Sequence, residues 1–154
     1  MFTTSNSSTK SWILLVVAIA VTVLFMVFAE PVFTTFFIGS DNFADAMYDF
    51  NLYFSIATYI SIIVWVFAIL YYWVIDQVKL SSFVGWALFF VLAVAAAPTV
   101  TYFYSLSVFE AENLEFMSDL PGFAIITVPI ALVEYVIVSL GIKDFSTNCS
   151  TRPF

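Results

Sequence analysis

Apolar and polar positions along the chain sort into four long apolar runs separated by short polar stretches, at residues 12–30, 51–75, 81–105 and 121–142. Each run is close to or above the ~20 apolar residues that an α-helix needs to cross hydrocarbon. The first is read as a retained span, because it is longer than a signal-peptide core and has no small-x-small cleavage motif leading into a soluble chain. Asp76-Gln77-Val78-Lys79-Leu80 is a connection short enough to hold the second and third helices antiparallel. Gly39-Ser40 before Asp41 is a turn and helix-start signal. Phe109, Leu114, Phe116 and Met117 mark residues 106–120 as an amphipathic interfacial segment. The expected fold is all-α, one four-helix transmembrane bundle over residues 1–154.

Charge gives that bundle a direction. Lys10, Lys79, Lys143 and Arg152 are the basic residues, and with four spans all of them fall on one side, which the positive-inside rule makes cytoplasmic. Both termini are then inside (N-in/C-in), in an integral protein of the cell membrane. The outer loops receive Glu30, Asp41, Asp45, Asp49, Glu110, Glu112, Glu115 and Asp119 and no base. A net charge of −7 argues against nucleic acid and anionic lipid as partners. The acidic exterior with scarce lysine resembles, in composition alone, membrane proteins of halophilic archaea or their viruses. Charged residues make up only 10% of the chain, too few to coat a separate soluble domain.

One residue breaks the apolar pattern. Glu134 is an ionisable group deep in the fourth run, and no Lys, Arg or His lies in any run. Hydrocarbon without a counter-charge disfavours the ionised form, so the acid is expected at rest as a neutral hydrogen-bond donor. Ala124, Thr127, Ala131, Glu134, Val138 and Gly141 recur at intervals of three and four, placing a small or polar stripe on one helix face. In the second run, Ser61 and Trp65 lie at about the depth of Glu134 and are its best candidate partners. Glu134, Ser61, Trp65 and Thr127 form the candidate intramembrane polar site. Ala93, Ala97 and Thr101 repeat at four-residue intervals in the third run, a second close-contact face.

Much chemistry is excluded. The chain has no His and a single cysteine, Cys149, which rules out His-ligated haem, an intrachain disulfide and a CxxC redox pair. Asp41, Asp45 and Asp49 share a helix face, but that spacing is not a calcium-loop pattern and like charges so placed ordinarily face water. No metal site, cofactor or enzymatic activity is expected. The layout resembles that of V-type ATPase proteolipids, locally at Leu132-Val133-Glu134-Tyr135, followed by Ser139-Leu140-Gly141 and Lys143. That resemblance would imply a proton-binding role for Glu134. Rotor subunits of that kind pack glycine- and alanine-rich helices into a ring, whereas this chain has four Gly and nineteen Phe and ends that face the other way, so membership is not claimed. The leading expectation is a non-catalytic membrane protein, an accessory subunit of a complex or a viral or cellular membrane component. Its partners are then the lipid bilayer and another protein chain or further copies of itself. The alternative is a small proton- or cation-coupled carrier or channel subunit using Glu134.

Overall fold

A computed structural model describes residues 4–37, 39–75 and 82–151. The 76–80 connection, Lys79 and Arg152 lie outside the described residues. All regular structure among the described residues is helical: α1 (Thr4–Val27), α2 (Ala29–Phe36), α3 (Asp41–Asp49), α4 (Leu52–Ile69), α5 (Phe83–Ala111) and α6 (Leu120–Ile142). A π-helical turn, Leu70–Ile75, extends α4, and a 3-10 turn, Lys143–Phe145, follows α6. Four helices, Thr9–Val27, Leu52–Val74, Phe83–Ala111 and Leu120–Phe145, are long and apolar enough to cross a membrane. The molecule is therefore consistent with an integral membrane protein.

The element ends follow from particular residues. Pro31 lacks an N–H and its ring would clash with the carbonyl four residues back, at Val27, which is where α1 stops. Pro31 itself sits in the first turn of α2, where no intrahelical N–H is needed. The segment expected as a loop after the first span is thus mostly two short helices. Asn51, ahead of α4, and Asn113, just after α5, hold positive φ of 53° and 56°, a conformation that Asn tolerates better than most side chains. Ser82 caps α5, its Oγ accepting from the Gly85 N–H at 3.2 Å. α5 runs on to Ala111, so residues 106–111, expected as part of an interfacial segment, continue the third long helix. Phe109 is the reason: it is buried against Phe43 and Phe116, at ring distances of 5.9 and 5.0 Å.

α4 and α6 pack together, with α5 against both on one flank and α1 against both on the other. α1 and α6 approach closely at Gly141, where an added Cβ would lie 2.6 Å from Ala18 Cβ and 3.2 Å from the Leu14 carbonyl oxygen. The expected small faces are used inside this array: Ala93, Ala97 and Thr101 of α5 are buried, as is the whole Ala124-to-Gly141 stripe of α6. One end is closed by aromatic rings from four elements, including Phe33, Phe43, Phe109 and Phe123. At the other end Ser11 Oγ donates to Asp144 Oδ2 at 2.9 Å and Trp12 packs on Phe145. Cys149 is fully buried there.

Candidate functional site

At ~1.5 Å of rise per residue, Glu134 is roughly 21 Å from Leu120 and roughly 17 Å from Phe145, the two ends of its span. It is therefore near mid-depth in α6. Its stripe turns it inward, and it is 5% exposed. Ser61 of α4 and Thr22 of α1, 3% and 8% exposed, present their hydroxyls to its carboxyl. Neither Glu134 oxygen has a hydrogen bond of good geometry, and Ser61 Oγ has none either. Three helices thus bring one acid and two hydroxyls into a small region that is otherwise apolar.

Trp65 enters this arrangement indirectly. Its indole N–H donates to Thr22 Oγ1 at 3.0 Å, one helical turn beyond Ser61. Accepting from Trp65 leaves Thr22 its own hydroxyl hydrogen, which is free to be given to Glu134. The indole therefore orients a donor toward the acid instead of bonding to the acid itself. Thr127 is buried on the same stripe, but its hydroxyl donates to the Ala124 carbonyl at 2.7 Å, satisfying it within its own helix about two turns from Glu134. Of the sequence-derived candidates, the fold brings Ser61 to Glu134, brings Trp65 to a group facing Glu134, and leaves Thr127 apart. Thr22 is the residue that sequence reasoning missed. α1 is apolar nearly all round, so no periodicity singles Thr22 out; its depth, matching that of Glu134, was the only available signal.

Glu134 also contributes to the wall of a groove of about 320 Å³ between α1, α2 and α6, lined by Val21, Phe25, Phe36, Pro129, Ile130 and Val133 among others. Phe36 and Val133 in its lining are well exposed, and Glu134 is the sole ionisable residue there, its two carboxyl oxygens being buried. Pro129 also withdraws the N–H that the Ile125 carbonyl would otherwise receive within α6.

A second polar and aromatic cluster lies nearer the Lys143 end. Trp86 Nε1 donates to Ser139 Oγ at 3.3 Å, beside Tyr71, Tyr72 and Tyr135, all fully buried. These rings are packed tightly, Tyr71 on Tyr72 at 4.8 Å and Phe90 on Tyr135 at 5.6 Å. Among the described residues no group of three or more His, Cys, Asp or Glu is placed to hold a metal ion. Asp45 and Asp49 flank a shallow surface hollow with Phe50 and Phe116.

No family model, curated protein or solved structure matches this chain. The functional reading therefore rests on the site's own geometry.

Proposed function

We propose that this protein is a non-catalytic, multi-pass membrane protein, a four-helix bundle with both termini cytoplasmic, that binds a proton or small cation at Glu134 and carries it. The observation that supports this reading is the state of the carboxyl: nearly buried at mid-depth, with both oxygens lacking a well-formed hydrogen bond. Ionisable groups at this depth are costly and are characteristic of ion and proton paths. The test is flux in proteoliposomes holding the purified full-length chain. Glu134→Gln is expected to abolish proton or cation movement while the protein still reconstitutes, and flux that survives the substitution unchanged removes the proposal.

A second reading, an accessory subunit of a larger membrane complex, is favoured by α1. Only 17% of its spanning window is buried, against 44% for the windows of α4 and α6, so its outer face is open to another transmembrane chain. Native mass spectrometry after gentle extraction decides between them. Stoichiometric larger subunits support the accessory reading, and a homo-oligomer alone supports the carrier.

A further inference from the structure

Two helix breaks lie side by side at the aromatic-capped end. α1 stops at Val27 because of Pro31 and α2 begins at Ala29, while α3 turns into α4 through Asn51 in its left-handed conformation. Where the breaks face each other they leave a hollow of about 520 Å³, lined from one by Met26, Val27, Ala29 and Glu30 and from the other by Tyr48, Asn51, Tyr53 and Phe54. Its chemistry is ordered by depth. Met26, Val27, Tyr53 and Phe54 belong to the apolar spans, whereas Glu30, Tyr48 and Asn51 lie just beyond the span ends. Unlike the groove beside Glu134, this hollow exposes polar atoms as well as apolar ones. Glu30 is itself exposed, and its charge is in electrostatic range of the Tyr53 hydroxyl. Tyr53 is held by stacking on Phe33 at 6.1 Å, while Tyr48 and Phe54 are 65% and 43% exposed.

The lining thus holds one acid, no base and three aromatic residues. With Asp41, Asp45 and Asp49 on the adjoining α3, the potential at this end is negative, which draws cations and repels anions. A single carboxylate with one amide and two phenols is a poor shell for Ca²⁺, which takes about six to eight oxygen ligands, and the apolar floor offers a metal ion nothing. An organic cation suits both halves, because carboxylates and aromatic faces attract its charge while apolar side chains cover its carbon. We propose that this hollow binds a quaternary ammonium group, with Glu30 as its counter-charge, Tyr48, Tyr53 and Phe54 as its aromatic wall and Met26 and Val27 as its floor. A volume of about 520 Å³ lies within the ~300–1,000 Å³ usual for small-molecule sites, enough for such a headgroup and part of an attached chain. The group reaches the hollow either on a choline-headed lipid of the adjoining leaflet or on a soluble quaternary amine. Glu134 takes no part in this site.

The test is calorimetric titration of choline, and of 3,3-dimethyl-1-butanol as its uncharged isostere, into the full chain in dodecyl maltoside, with empty micelles as reference. A parallel arm offers the chain equal phosphatidylcholine and phosphatidylglycerol and reads the retained lipid by native mass spectrometry. Glu30→Gln is expected to weaken binding of the choline group about two- to fivefold, the range of a partly exposed charge pair. Tyr48→Ala should weaken it by a similar about two- to fivefold, and Tyr48→Phe, which keeps the ring, should not. Asp45→Asn, at the same end but lining a different hollow, should leave it unchanged, and all four variants should unfold at the temperature of the parent chain. The alcohol should show no dependence on residue 30. Glu30-dependent retention of phosphatidylcholine without choline binding assigns the hollow to a lipid headgroup, and choline binding without that retention assigns it to a soluble amine. Neither signal, binding equal in Glu30→Gln, or binding weakened as much by Asp45→Asn as by Glu30→Gln overturns the proposal.

Discussion

At the scale of the residue, Glu134 and its neighbours make opposed predictions for stability and function. Replacing the acid by Leu removes two unbonded buried oxygens and adds apolar surface, so Glu134→Leu should hold or raise the unfolding temperature in detergent while abolishing flux. A large loss of stability would instead mark the acid as a packing bond. Trp65→Phe keeps most of the ring and deletes only the N–H given to Thr22. It should cost about 0.5–1.5 kcal/mol, read in the same unfolding assay, and weaken cation binding by leaving Thr22 unoriented. The acid and its stripe were legible in the chain because a charge-capable residue within an apolar run is conspicuous and small residues at helical spacing are countable. Thr22 was not, since a lone threonine in an apolar helix is unremarkable until the fold sets α1 against α6.

The helices themselves depend on a few positions with no room to spare. Gly141 allows α1 to lie against α6, and the missing Cβ is replaced by Ala18. Gly141→Ala should therefore destabilise by about 1–3 kcal/mol, the usual range for overpacking, and Ala18→Gly in the same chain should recover much of it; thermal unfolding of the double variant checks this. At Asn113, whose φ is 56°, Gly should be tolerated and Val should cost roughly 1–2 kcal/mol or more, the steric cost of the left-handed region. The four long helices were legible from hydropathy alone. The short helix after Pro31 and the extension of α5 to Ala111 were not, for two reasons. A proline is compatible with a first helical turn as well as with a loop, and Ser105, Ser107 and Glu110 look like a helix end until Phe109 is seen beneath Phe43.

For the whole molecule, the two ends differ in chemistry. Lys10 and Lys143 lie at the end marked by the Ser11–Asp144 hydrogen bond, whereas Asp41, Asp45, Asp49 and Glu110 belong to the aromatic-capped end. If the basic end is cytoplasmic, a cysteine placed at Asp45 in a Cys149→Ser background should react with a membrane-impermeant maleimide on intact cells, and one placed at Lys10 should react only after lysis. The reverse pattern would invert the bundle. Cys149 itself is buried, so in the native chain it should label slowly until the tail is loosened.

The close approach of α1 to α6 also fixes an order of events during biosynthesis. Ser11 and Asp144 are 133 positions apart, and chains emerge with the N-terminal part first. If the chain inserts as it is made, Thr22, Ser61 and Trp65 therefore reach the bilayer before Glu134 has been synthesised. The helix carrying the costliest residue is then made after the two helices whose hydroxyls face it. A ribosome stalled before residue 134 would leave Thr22 and Ser61 without their acid, so α6, not α1, would complete the polar cluster.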